Sequence, residues 1–210
     1  GYLGAVGGGL CLNEQGYYAT KSAFFNTPKD ISNFTASFIW YTGIPYDGYN
    51  PGDGFTFVVQ NAGPGYLGAV GGGLGYAGMP KSAGIAFNIM SNSEALVSNG
   101  VIGNYAAVNP VVIRDSIGVT IAYDGSNMAT TIVDLSTGGT YHTNYTIDIP
   151  QTVGGSTAYV GFTAGSGRAY GNQFVENLMF ISAPEPISSV LFITGGILLV
   201  GRSYIRKRKA

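Results

Sequence analysis

The segment FTASFIW at positions 34–40 alternates, so that Phe34, Ala36, Phe38 and Trp40 fall on one side of an extended chain and Thr35, Ser37 and Ile39 on the other. A period of two marks a strand with one buried face. Similar apolar runs follow at short intervals: FTFVVQ at 55–60, GIAFNIM at 84–90, IGVTIAY at 117–123, ATTIVDL at 129–135, TYHTNYTIDI at 140–149, TAYVGFTA at 157–164 and FVENLMFI at 174–181. Asp124-Gly125 between two of these runs is a hairpin signal. No stretch of residues 11–182 sustains the 3.6-residue period of an amphipathic helix. Many short strands separated by turn residues predict an all-β sandwich.

The pattern changes at Pro184-Glu185-Pro186. An apolar run from Ile187 to Val200 follows, and 187–205 reads as one transmembrane-type helix, because a span needs ~20 apolar residues. The chain therefore divides into a sandwich at 1–182 and a tail at 183–210. Arg202, Arg206, Lys207, Arg208 and Lys209 supply half of the 10 Lys and Arg residues. By the positive-inside rule that basic end is cytoplasmic and the sandwich lies across the membrane from it.

Composition sharpens the picture. Only 10% of the residues are charged, against ~25% in ordinary soluble domains, while Gly (34) and Tyr (15) are abundant. Such a polar, uncharged chain suits a β-rich exported protein. Residues 1–182 hold five basic and ten acidic side chains, and phosphate backbones require lysine and arginine, so nucleic acid is excluded as a partner. Cys11 is the single cysteine, which rules out a disulfide framework and a cysteine metal site. The first residue is Gly1 rather than Met, consistent with a removed leader or with a fragment.

The decamer GYLGAVGGGL occurs twice, at 1–10 and at 65–74. Neither copy reads as a phosphate loop, since no Gly-Lys-Ser/Thr follows and strands flank the second copy.

Two resemblances extend this reading. The order Pro-Glu-Pro, apolar helix, basic end resembles the PEP-CTERM sorting signal of Gram-negative and related bacteria. It implies an exported protein, anchored through the tail in the inner membrane until an exosortase-type peptidase processes it, with the mature domain in the periplasm, at the cell surface or in the extracellular matrix. Pro184, Glu185, Pro186, Arg206, Lys207 and Arg208 carry that signal. The blocks KSAFFNTPKDISNFTASFIW, DGFTFVVQNAGPGYLGAVGGGLGYAG, SAGIAFNIMSN, IAYDGSNMATTIV and STAYVGFTAGSG resemble, in that order, the bacterial branch of the legume-type lectins. The fold implied is a concanavalin-like jelly-roll sandwich.

That second resemblance implies a shallow sugar site. Sugar hydroxyls both donate and accept, so a carboxylate, a backbone N–H and an amide complement them. The aspartate maps to Asp53 in Pro-Gly-Asp-Gly, the glycine to Gly73 or its neighbour Gly72, and the asparagine to Asn92. A Cβ at the glycine would hold the ligand off the amide. Tyr66, Tyr76 or Tyr170 could stack on a sugar face. Arg168, in the loop at 165–171, falls in the family's specificity loop and raises the prospect of an acidic sugar. The first decamer copy matches instead an opening strand of the family, Gly-Gly-Gly-Leu-x-Leu, and no binding role is expected of it.

The metal pattern departs from the plant members, which hold manganese and calcium through Glu-x-Asp. Here those positions read Ala86-Phe87-Asn88. Ala86 cannot bind a metal, so manganese is not expected. Asn88, the Met90 carbonyl, Asn92 and Glu94, with Asp53, remain as a calcium set of low affinity, and loss of the metal is the alternative.

An enzyme on this fold would need paired carboxylates. Glu14, Glu94 and Glu176 are scattered, and His142 sits alone in an alternating strand without a triad context. Two readings remain: a non-catalytic lectin binding a glycan or exopolysaccharide, and a structural matrix protein on a lectin sandwich that has lost metal and sugar.

Overall fold

The computed structural model describes residues 5–6, 9–13, 16–43, 52–169 and 171–182. The predicted tail, including Pro184, Glu185, Pro186, Arg206, Lys207 and Arg208, and Tyr170 of the specificity loop lie outside the described residues.

The described strands, numbered along the chain, form two antiparallel sheets. One runs in the order β1 (Ala5–Val6), β2 (Gly9–Asn13), β15 (Gln173–Ser182), β5 (Phe34–Thr42), β11 (Ile117–Tyr123), β12 (Asn127–Asp134) and β13 (Thr140–Thr146). The other runs β10 (Ala106–Ala107), β8 (Ser93–Ser98), β7 (Ser82–Asn88), β6 (Gly54–Gln60), β14 (Thr157–Gly165) and β3 (Thr20–Phe24), with β4 (Lys29–Asp30) paired to β14 and β9 (Val101–Ile102) to β8. This is the all-β sandwich that the spacing of apolar runs predicts.

The alternation of β5 does what it implies. Phe34, Ala36, Phe38 and Trp40 are all buried between the sheets. Phe38 meets Phe162 edge-on at 4.9 Å between ring centroids, and Trp40 stacks on Phe55 at 4.8 Å. Each such side chain contributes roughly 1.5–3 kcal/mol by leaving water.

β6 is buried on both faces. Phe55, Phe57 and Val59 point into the main core, whereas Val58 joins a second cluster with Leu74, Tyr76, Met79, Ala86 and Val97. The glycine-rich segment at 65–78 thus lies over the outer surface of the eight-stranded sheet and is pinned there by Leu74 and Tyr76. This cover places the second decamer copy beside the start of β6.

Two local expectations change. The run at 140–149 does not continue as one strand: β13 ends at Thr146, and a short helix α1 (Ile149–Val153) follows. Asp148 caps it by accepting the Gln151 N–H at 2.9 Å, and Pro150 sits in its first turn. The run at 84–90 likewise ends as a strand at Asn88, and the chain turns over 89–92 into β8.

Candidate functional site

Asp53 stands at the entrance to β6. Its N–H donates to Gly165 O at 2.8 Å, and its own carbonyl accepts the Ile89 N–H at 2.9 Å. The backbone is thereby fixed between the end of β14 and the turn after β7. The next residue must be glycine: Gly54 has φ +155°, and a Cβ on it would lie 2.0 Å from Phe87 O.

The Asp53 carboxylate enters a narrow gap between two other loops. A Cβ on Gly71 would lie 3.1 Å from Asp53 Oδ2, and one on Gly167 would lie 3.0 Å from the same oxygen. The Gly71 N–H donates to Ser166 O at 3.2 Å and ties those loops together. Among the described residues no side-chain or backbone donor bonds to the carboxylate. Partial burial raises the Asp53 pKa above the ordinary value. The arrangement is a half-buried acceptor pair, held by backbone contacts and open to a donor from outside.

Of the two glycines that the sequence offers, the structure separates the roles. Gly73 donates its N–H to Val70 O at 3.1 Å within the 3-10 turn Gly71–Gly73, and a Cβ on it would press on Ala69 Cβ at 2.8 Å. Gly72 is exposed, a Cβ on it would meet nothing within 4 Å, and among the described residues its N–H has no acceptor. Gly72 therefore presents the free amide, and Gly73 is framework.

Arg168 is exposed, one residue beyond Gly167 in the loop that flanks the Asp53 carboxylate. Its Nε donates to the Tyr18 hydroxyl at 3.4 Å, and the Tyr18 N–H donates to Gly167 O at 3.0 Å. Tyr18 holds φ +53° and, like Tyr17, is more than half exposed. Neither tyrosine stands out in the sequence, since both lie outside the resembling blocks.

Tyr105 is the other residue that sequence reasoning missed. It precedes β10, is 38% exposed, and its hydroxyl interacts with the Asn88 side chain. Burial, and to a lesser degree the charge of Asp53, push its pKa up, whereas Asn88 pulls it down. Nothing in the local sequence marks it, because pairing of β10 with β8 brings it to the site. By contrast Tyr76 is fully buried, with its hydroxyl bonded to Ser82 Oγ at 2.8 Å, and it is withdrawn as a stacking candidate. The Tyr66 hydroxyl donates to Gly78 O at 2.6 Å and braces the loop.

The expected calcium set does not assemble. Asn92 Nδ2 donates to Val111 O at 2.9 Å, and Asn92 Oδ1 accepts the Ile113 N–H at 2.8 Å. Asn88 Oδ1 accepts the Ser91 N–H at 3.0 Å. Glu94 is a correction: it pairs with Phe87 across β7 and β8 and is fully buried, so its side chain shares the inner face of the sheet with Phe87, while Asn88, the next residue along β7, lies on the outer face. There it accepts the Tyr145 hydroxyl at 3.2 Å through Oε1, Oε2 has no partner, and burial raises its pKa to about 7. The Met90 side chain is exposed and lies against Gly52, with its Sδ 3.1 Å from where a Cβ there would sit. Ala86 is buried in the second apolar cluster. Among the described residues one carboxylate, Asp53, is left beside neutral amides that already face N–H donors, and this donor set does not fit calcium.

No catalytic constellation appears among the described residues. Glu94 lies in the eight-stranded sheet and Glu176 in the other, where it accepts the Tyr41 hydroxyl at 2.6 Å. His142 is exposed on β13 with Nδ1 3.0 Å from Thr131 Oγ1.

No protein-family model matches the chain. Solved structures do. Lectin I-B4 from Griffonia simplicifolia in its metal-free form is 16% identical, with 86% of this chain and 90% of that one covered and a TM-score of 0.74. Arcelin-5, a lectin-like defense protein from Phaseolus vulgaris, is 16% identical over 86% and 89% of the two chains, with a TM-score of 0.72. Lectin I from Ulex europaeus, solved with the methyl glycoside of α-L-fucose, is 16% identical over 82% and 85%, with a TM-score of 0.68. The fold is legume-lectin-like.

Proposed function

We propose that this chain is a non-catalytic carbohydrate-binding protein whose ligand groove is centred on Asp53. The observation that carries the reading is the Asp53 carboxylate, which sits between Gly71 and Gly167 with no donor bonded to it among the described residues. The free Gly72 N–H lies one residue from Gly71 and supplies the complementary donor. Arg168 and Tyr18 on one rim, and Tyr105 on the other, are the polar and aromatic groups that would frame a sugar ring. The lectin fold, and the sugar bound by the Ulex europaeus lectin, are consistent with it. Glycan-array screening of the chain against an Asp53→Ala variant tests the reading. Binding lost in the variant supports it, and binding undiminished removes Asp53 from the site.

A second reading has its own observation. Asn92, the residue that the resemblance assigns to the sugar, has both ends of its amide bonded to backbone. A matrix or surface protein that keeps the sandwich without a glycan would look like this. Glycan arrays blank for the parent chain and for all variants would favour it.

We further propose, from the order Pro184-Glu185-Pro186, apolar run and basic end, a bacterial protein that is exported, anchored by its tail and processed by an exosortase-type peptidase. Membrane fractionation in a host with and without such a peptidase tests this. Retention of the full-length chain in the inner membrane only when the peptidase is missing is the expected result.

A further inference from the structure

We infer that this chain builds and holds its groove without a metal ion, and that Asn92 acts as a clamp between the 88–92 turn and the 108–113 segment. The inference stands apart from the sugar reading, since it concerns what fixes the loops rather than what occupies them.

Among the described residues, Asn92 joins the turn after β7 to the 108–113 segment through three hydrogen bonds, two accepted and one donated. Asn92 O accepts the Val108 N–H at 3.2 Å, Asn92 Oδ1 accepts the Ile113 N–H at 2.8 Å, and Asn92 Nδ2 donates to Val111 O at 2.9 Å. The two side-chain bonds fix the amide plane with the carbonyl end toward Ile113 and the amino end toward Val111. The far side of the clamp is anchored apolarly, because Val108, Val111 and Ile113 are all fully buried in the main core. Asn92 itself has φ +48°, a conformation that asparagine tolerates better than most residues.

The same bonds oppose a cation. Oδ1 of Asn92 and Oδ1 of Asn88 are the side-chain oxygens that the resemblance would offer a divalent ion, and each already accepts a backbone N–H, which occupies one of its two lone pairs and sets a positive N–H end beside any cation. Rotating either amide toward a metal would break bonds at 2.8–3.0 Å, and rotating Asn92 would also leave the Val111 carbonyl, in a fully buried residue, without its donor. Compensation from charge is weak, since among the described residues Asp53 is the one carboxylate at hand and Glu94 points between the sheets. Among the described residues no three His, Cys, Asp or Glu side chains gather. The Tyr105 hydroxyl beside Asn88 adds a third neutral group where relatives of the resemblance would place an ion.

The test uses the full chain after dialysis against EDTA. Calorimetric titration with CaCl2 and MnCl2 should give no saturable heat, and the thermal midpoint should be the same in EDTA and in millimolar Ca2+. Saturable uptake, or a midpoint raised by several degrees in Ca2+, overturns the inference. Asn92→Ala should lower the midpoint equally in both buffers and speed hydrogen exchange at the Ile113 amide by at least about tenfold. A loss seen only in Ca2+, or unchanged exchange at Ile113, would also sink it. None of these readouts involves a glycan, so failure of the sugar reading leaves them intact, and their failure leaves that reading standing.

Discussion

The Tyr145 hydroxyl donates to Glu94 Oε1 at 3.2 Å, joining β13 of one sheet to β8 of the other. The carboxyl is fully buried and its second oxygen is unpartnered. Burial favours its neutral form and raises the pKa from 4.5 to about 7. Between those values the folded chain keeps a proton that the unfolded chain has released. Stability contributed by this group is therefore greatest at and below pH 4.5, falls as pH rises to about 7, and is level beyond. Integrated over the window the loss is about 3 kcal/mol. Glu94→Gln keeps an acceptor for Tyr145 and removes the ionisation. Urea unfolding at pH 5 and pH 8 should show the variant gaining on the parent by that order as pH rises, whereas a constant difference would mean that Glu94 titrates normally.

Asp53 titrates in the opposite functional sense. In the function we propose its carboxylate accepts from ligand hydroxyls, so binding needs the ionised form, and burial raises its pKa. Affinity should fall on acidification with a midpoint above the ordinary aspartate value. Asp53→Asn, which keeps the shape and one acceptor oxygen, should remove that pH dependence along with most of the affinity. Glycan binding measured from neutral pH down to the onset of unfolding checks both statements.

Arg168 carries the positive charge on the Asp53 side of the groove, with its guanidinium turned to Tyr18. An acid-bearing oligosaccharide should therefore bind more tightly than its neutral analogue. Arg168→Gln should erase that preference, a few-fold effect for an exposed charge, and leave the neutral ligand unaffected. Raising the salt should reproduce the loss in the parent chain. Equal binding of both ligands by the parent would remove Arg168 from recognition.

The sandwich was legible where one face of a strand is apolar and the other is not, as along Phe34, Ala36, Phe38 and Trp40. β8 escaped notice because Glu94, which points inward, and Ser93 beside it are buried polar residues that the pattern assigns to solvent. The helix at Ile149–Val153 carried a signal that the strand reading overran: Asp148 two places before Pro150 is a cap followed by a first-turn proline. Asn92 shows the deeper limit. An asparagine that binds a ligand and one that clamps a distant backbone have the same letter at the same place, and the partners that decide between them are 19 and 21 residues away. Tyr105 comes beside Asn88 through pairing of the two-residue strand β10 with β8, which no local periodicity can announce.

The two decamer copies test how far sequence alone sets a role. In the first, Ala5 and Val6 pair with Leu10 and Gly9 at the edge of the seven-stranded sheet. In the second, the equivalent Ala69 and Val70 lead into a 3-10 turn, and Leu74 is buried with φ +54°. Identical residues take different conformations because one copy finds a strand edge and the other is pulled over a sheet by Leu74 and Tyr76. Deleting residues 1–6 should leave glycan affinity unchanged. Within the second copy, Gly72→Ala adds a methyl group that meets nothing in the protein, so the thermal midpoint should hold while affinity falls at least about tenfold. Gly73→Val should lower both, since its Cβ would press on Ala69 and unseat the loop. If Gly72→Ala bound as well as the parent, the free amide would have no part in the site, and the groove would rest on Asp53 and its rims.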